Sequence, residues 1–211
     1  DASTIASREE AEKSWQDKLA GTAPRLKLLF AGRVTAAKGV STLLEAIQSL
    51  DAAGQAVDLH IIGHGDLIEA CKETQKGLKH AQLEMIEPLS YGPEFFRFLR
   101  GYHAVVVPSI TDEQPRIVYD AYSKGVPVIA SNTDGLRDCV EDKVTGWLCR
   151  PNDAGDLARL LTQAASHPDQ LAAMMPACLA RARQMTHQQM HHKRLELLNR
   201  YLLAWRQAAA H

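Results

Sequence analysis

The chain has 211 residues, 45% of them hydrophobic and 23% charged, and a net charge of −1. That is enough for one sizeable core, and it excludes a global basic field for nucleic acid or anionic lipid. No apolar run approaches the roughly 20 residues that span a bilayer, and the charged stretch Asp1 to Lys18 has no signal-peptide core. The chain begins without Met, which reads as a fragment or a processed protein. Cys71, Cys139, Cys149 and Cys178 show no paired metal or redox spacing and read as reduced thiols of a cytoplasmic protein.

In chain order, Glu9 to Leu19 carries a weak helical pattern, and Thr22-Ala23-Pro24 reads as a linker. Leu26 to Ala31 is a strand punctuated by Gly32. Val40 to Leu50 has apolar residues at 40, 43, 44, 47 and 50, which is helical spacing. Val57 to Ile62 is a second strand, stopped by Gly63-His64-Gly65, and Asp66 to Leu78 reads as helix. Leu83 to Ile86 is a short strand, Pro93 to Leu99 a short helix with Phe95, Phe96 and Leu99 on one side, and Ala104 to Val107 a further strand. Pro115 is placed to open the next helix, which leads to a strand at Val126 to Ala130. Leu136 to Val140 is one helical turn and Gly146 to Cys149 a strand. Asn152-Asp153 can cap a helix from Ala154 to Ala165. Asp169 can cap another from Gln170 to Met185, and Thr186 to Trp205 is a last long helix.

The strands are rich in Val, Ile and Leu without clean alternation, as expected when both faces are covered. Strands alternating with helices predict an α/β fold: a Rossmann-like parallel sheet of about six strands, helices on both faces, plus C-terminal helices. Residues 1–24 read as a polar segment ending in a linker, 25–185 as the sheet domain, and 186–211 as a C-terminal helix. Ligands of such sheets bind at the carboxyl ends of the strands. Three loops fall there. Gly32-Arg33…Lys38-Gly39 offers two cations, and a guanidinium can grip phosphate oxygens with two bonds. It is not a P-loop, because the Gly-x4-Gly-Lys order is absent. Gly63-His64-Gly65 lacks the third glycine of a dinucleotide fingerprint, which counts against a nicotinamide-dependent dehydrogenase. Asp112 to Ala121 combines carboxylates, suited to hydroxyl groups, with a helix N-terminus, suited to phosphate. Together they predict a ligand bearing both phosphates and sugars.

The ordered segments also resemble a known family. Phe30-Ala31-Gly32-Arg33-Val34…Lys38-Gly39 resembles the F-x-G-R-[LV]…K-G motif of retaining glycosyltransferases of family 4, with the GT-B fold. Ile61-Ile62-Gly63-His64-Gly65, Val105-Val106-Val107-Pro108-Ser109 and Ala121 to Ser131 resemble further segments of that family. So do Gly146-Trp147-Leu148 and Asn152-Asp153-Ala154, and the match runs in order from about residue 25 to 165. The resemblance implies that Arg33, Lys38 and Asp112 carry the chemistry. Arg33 and Lys38 would hold the donor diphosphate beside Gly32. The backbone N–H groups of Arg116 and Ile117 would meet phosphate or sugar, Pro115 having none. Asp112 would bind the transferred hexose, with Glu113 and Gln114 beside it, Asp120 the ribose hydroxyls, and Met85 to Leu89 would lie beside the base. The family's E-x7-E glutamates are aspartates here, Asp112 and Asp120, and each shortens the reach by about 1.5 Å; Glu113 could stand in for Asp112 by a one-residue shift.

The resemblance further implies a hinge at residues 1–24, nucleotide-sugar binding by the domain at 25–185, a nucleoside diphosphate sugar as donor, no cofactor and no metal. It implies an acceptor glycan or glycolipid reached through an N-terminal domain absent from this chain. A cytoplasmic place follows, compatible with peripheral association of the full protein at the inner membrane face. Without that partner domain the chain is expected to be inactive, and a degenerate, non-catalytic sugar- or nucleotide-binding module is the rival reading. His187 and His191 share a helix face but lack an acidic partner, so they read as a solvated face rather than a metal site. Trp147 and Trp205 read as core or interface residues, and Tyr201 with Trp205 as a docking stripe.

Overall fold

The structure is a computed structural model that describes residues 4–20 and 25–208. The expected linker at 22–24 lies outside the described residues. Within them, six strands run β1 (Leu26–Ala31), β2 (Val57–Ile62), β3 (Gln82–Ile86), β4 (Ala104–Val107), β5 (Val128–Ser131) and β6 (Gly146–Cys149). They form one sheet of order β3-β2-β1-β4-β5-β6. Every pairing is parallel, with Leu26 opposite Val57, Leu28 opposite Ala104 and Val105 opposite Val128. This is the α/β, Rossmann-like fold with helices on both faces that the sequence predicts. All residues of β4 and β5 are buried, which is why their apolar runs show no alternation.

The helices are α1 (Arg8–Leu19), α2 (Val40–Ala52), α3 (Ile68–Gly77), α4 (Pro93–Leu99), α5 (Arg116–Tyr122), α6 (Asp134–Cys139), α7 (Ala154–Ser166), α8 (Pro168–Gln184) and α9 (His187–Ala208). The helical spacing of α2 is matched by burial of Val40, Leu43, Leu44, Ile47 and Leu50. α2 packs on α3 and α7, while α1 and α5 pack on α8. Asp153 caps α7 by accepting the N–H of Asp156 at 2.8 Å. α8 begins one residue before the expected cap, because Pro168 takes the first helical position, where its missing N–H costs nothing. α5 likewise starts after Pro115, whose backbone is extended.

α1 is better defined than its sequence pattern. Ser7 and Glu10 form a reciprocal capping box. Trp15 is buried, and its Nε1–H donates to the Gly125 carbonyl at 2.9 Å. Trp147 is also buried. α9 differs: Leu195, Leu198, Tyr201, Leu202 and Trp205 are all more than half exposed. The side chain of His187 lies outside the described ones, and no cluster of metal-ligating side chains occurs among the described residues. All four cysteines are free and buried. No described helix is long and apolar enough to cross a membrane.

At the amino edge of the sheet, His103 ties β4 to β1. Its Nδ1 accepts the Lys27 N–H at 3.0 Å, so this nitrogen must be unprotonated. Burial, reinforced by the charge of Lys18, pushes the imidazole down to about 4. Between pH 6.5 and 4 the unfolded chain binds a proton that the folded chain does not. Stability is therefore intact above about pH 6.5 and falls as pH drops towards 4, by on the order of 3 kcal/mol. Thermal melts across this range should show the decline, and His103→Asn should flatten it. An unchanged profile in the variant would assign the loss elsewhere.

Candidate functional site

Chain order reverses between β1 and β4, so the sheet has its switch point there, and the loops that follow these strands flank a crevice. The backbone in that crevice is tightly joined. Gly39 ends a short 3-10 turn (Ala36–Lys38) with φ +72°, and a Cβ there would stand 1.8 Å from the Pro108 carbonyl oxygen. Glycine is required on both counts. Gly63, at φ +148°, leaves equally little room, with a Cβ 1.8 Å from the Gly32 carbonyl oxygen. Hydrogen bonds follow from this closeness. Gly32 N–H donates to Ile62 O at 3.0 Å, Val34 N–H to His64 O at 2.8 Å, and Ile110 N–H to Ala37 O at 3.1 Å. Ser109 Oγ also donates to Ala37 O at 3.2 Å. Three loops are thus one backbone unit.

On that unit Lys38 pairs with Glu113, and both side chains are largely buried. Asp112 turns the other way and accepts the backbone N–H of Gly135, at the start of α6. Two adjacent carboxylates that the sequence left interchangeable thus make different contacts. Gln114 is exposed, with Nε2 donating to Asp138 at 3.3 Å. Arg33 and Gly32 are exposed at the same edge, and Arg33 forms no ion pair among the described residues. The first intrahelical bond of α5 runs from Val118 N–H to Pro115 O at 3.2 Å. The N–H groups of Arg116 and Ile117 precede it and point out of the helix start.

Asp120 sits one turn further along α5 and is buried. The Tyr91 hydroxyl donates to Asp120 Oδ1 at 2.8 Å. Arg116 Nε stands 3.6 Å from Oδ2, while its guanidinium carbon lies 4.0 Å from the centre of the Tyr91 ring. Burial raises the Asp120 carboxyl against the opposing pull of the Tyr91 hydrogen bond and Arg116. Burial, then Asp120, lifts the Tyr91 phenol to about 12. This trio lines a cavity of about 300 Å³ with Gln114 and Tyr119. Met85 and Leu89 are half-buried at the end of β3, the edge strand, and pack against the core. They are two strands, about 10 Å, from β1.

Sequence reasoning missed Tyr91 and Gly135. Tyr91 is a lone aromatic in the polar stretch Leu89-Ser90-Tyr91-Gly92, and nothing local marks its partner 29 residues on. Gly135 is the second residue of α6, whose N-cap is Thr133. Thr133 Oγ1 is the one buried side-chain oxygen or nitrogen without a partner among the described residues.

Comparison with known proteins accords with this geometry. The family model for glycosyl transferases group 1 matches residues 25–167. The amylovoran biosynthesis glycosyltransferase AmsK of Erwinia amylovora is 28% identical over 83% of this chain and 45% of its own length. The chain spans about a third to a half of the curated relatives it matches. Among solved structures, HepE of Anabaena, crystallised with UDP, superposes with a TM-score of 0.70 at 17% identity, over 94% of this chain and 55% of that one. The C-terminal domain of LpcC, a group 1 family protein of Francisella tularensis, gives 0.68 at 20% identity, over 88% of this chain and 97% of that one. The chain belongs to the group 1 glycosyl transferases and carries the C-terminal, Rossmann-like domain of their GT-B architecture.

Proposed function

We propose that this chain is the donor-binding half of a retaining glycosyltransferase of family 4, moving a hexose from a nucleoside diphosphate sugar to an acceptor hydroxyl. The observation that carries this reading is the placement of Arg33, Lys38 and the N–H groups of Arg116 and Ile117 around the β1–β4 switch point. The leaving nucleoside diphosphate gains negative charge as the glycosidic bond breaks, and fixed cations and N–H dipoles there stabilise it without a metal ion. Asp112, beside the α6 start, faces the hexose. Asp120 takes the ribose hydroxyls, and the end of β3 at Met85 and Leu89 takes the base. HepE was solved with UDP-glucose and AmsK is named for amylovoran biosynthesis, which supports a sugar nucleotide as donor and a glycan or glycolipid as product. The acceptor binds an N-terminal domain outside this chain, in a cytoplasmic enzyme that meets its acceptor at the membrane face.

Hydrogen bonds to charged groups are worth roughly 1.5–3 kcal/mol each. In the longer protein, Arg33→Ala or Lys38→Ala should each lower the transfer rate by about one to two orders of magnitude. Unchanged turnover and donor affinity in either variant would overturn the assignment. The 211-residue chain alone should bind donor and fail to transfer.

One observation favours a second reading, a binding module without catalysis: Asp112 and Glu113 are both engaged by groups of the protein itself, Gly135 N–H and Lys38. Titration with UDP, GDP and ADP sugars, beside a transfer assay on the longer protein, separates the two, since binding without transfer selects the module. The ion pair has its own consequence. Glu113 neutralises Lys38 and competes with phosphate for it. Glu113→Gln should tighten nucleoside diphosphate binding by about fivefold to tenfold, on the order of 1 kcal/mol. Calorimetry measures this, and weaker binding would mean instead that Glu113 itself contacts the ligand.

A further inference from the structure

A large cavity lies away from the switch point. It lies at the opposite, amino edge of the sheet, has a volume of about 720 Å³, and opens between α1, the start of β1, the end of α4 and the start of β4. β1 has six residues, so the two edges are roughly 17–20 Å apart. The cavity is strongly basic. Lys13, Lys18, Arg25, Lys27, Arg97 and Arg100 line it, against the two carboxylates of Glu10 and Asp17. The whole chain carries a net charge of −1, so this is a local concentration and not a global field.

Structural duties account for only part of it. Arg25 is committed to Asp58 and to the Val57 and His80 carbonyls. Lys18 Nζ donates to the Tyr102 carbonyl at 2.9 Å and stands 3.7 Å above the Trp15 ring. Lys13, Lys27, Arg97 and Arg100 form no ion pair among the described residues. The exposed carbonyls at the end of α4 do not require them either. Phe96 O is taken by Arg100 N–H, Phe98 O by Gly101 N–H, Leu99 O by Tyr102 N–H, and Arg100 O by the Ser14 hydroxyl at 3.2 Å. His103 is spent on Lys27 and stays neutral. The crowding is felt inside the cavity, where burial and then the charge of Arg100 push Lys18 down to about 7. Like charges held together in a concave surface, where they outnumber the carboxylates, are relieved by a bound anion.

We propose that this amino-edge cavity is a second anion site, distinct from the donor crevice, which takes a multiply charged phosphate group. Lys27, Arg97 and Arg100 grip its oxygens and Lys13 closes over it from α1. The phosphate belongs either to a small phosphorylated molecule or to a lipid headgroup, and both present the same chemistry to the cavity.

Pyrophosphate is the probe, titrated into the isotope-labelled 211-residue chain while backbone amide shifts are followed. Because pyrophosphate also suits the donor crevice, the titration is run on the chain itself, on Arg33→Ala/Lys38→Ala, and on Lys13→Gln/Arg97→Gln/Arg100→Gln, the last checked for folding by circular dichroism. The expected result is that the amides of Lys27 and Gly101 shift in the first two proteins and respond at least tenfold more weakly in the third, whose amides at 32–39 still respond. Sedimentation with vesicles containing phosphatidic acid distinguishes the sources: binding lost in the triple variant assigns a headgroup, and no sedimentation beside pyrophosphate binding assigns a small molecule. Shifts confined to residues 32–39 and 112–117, or an unaltered response of Lys27 and Gly101 in the triple variant, would overturn the second site while leaving the donor site standing.

Discussion

The carboxyl edge of the sheet depends on how closely three stretches of backbone approach each other. Gly39 against Pro108, and Gly63 against Gly32, are contacts that no side chain could share. They draw the loops after β1, β2 and β4 into one hydrogen-bonded unit. Everything chemically interesting at that edge is carried by this unit: Lys38 meets Glu113 because Ala37 and Ile110 are already bonded through their backbones. The switch point supplies the crevice, and the glycines set its depth.

A second feature is how the buried polar groups are handled. Asp120 is inside, and Tyr91 and Arg116 both answer it. Asp51 accepts three successive N–H groups, from Lys79, His80 and Ala81, and these hold its carboxyl below the usual range. Tyr122 is fully buried, with its hydroxyl between Thr145 and the Cys139 carbonyl. Each group is met by a partner from a distant part of the chain, as buried polar groups must be. The two edges of the sheet differ in this respect. At the carboxyl edge the basic Lys38 has an internal counter-ion, while at the amino edge several cations form no ion pair among the described residues.

Much of the fold was legible because the strands are rich in Val, Ile and Leu, most plainly in the fully buried β4 and β5, and because glycines and prolines punctuate the turns between elements. Parallel strands covered on both faces need nothing subtler. α1 was faint for a physical reason: only Ala11 and Trp15 of its twelve residues are buried, too few to make a stripe. The start of α8 was misplaced by two residues because Asp169 and Pro168 both signal a helix start, and the fixed φ of proline won. The site was legible as a set of loops and illegible as a set of contacts. Glu113 and Lys38 are 75 residues apart, and Tyr91 and Asp120 are 29 apart. No local pattern says that Glu113 reaches Lys38 while its neighbour Asp112 reaches Gly135.

The shared backbone at the carboxyl edge has a kinetic meaning. Loops bonded to each other this way cannot swing apart singly, so they are poorly suited to act as lids. What can move are side chains: the Glu113 carboxylate, the exposed Arg33, and Arg116 over Tyr91. Exposed rotamer changes take picoseconds to nanoseconds, far faster than the microseconds to milliseconds of domain motions. If the crevice takes the diphosphate proposed above, filling it is an exchange of one anion for another on a fixed bed, governed by ionic strength rather than by loop closure.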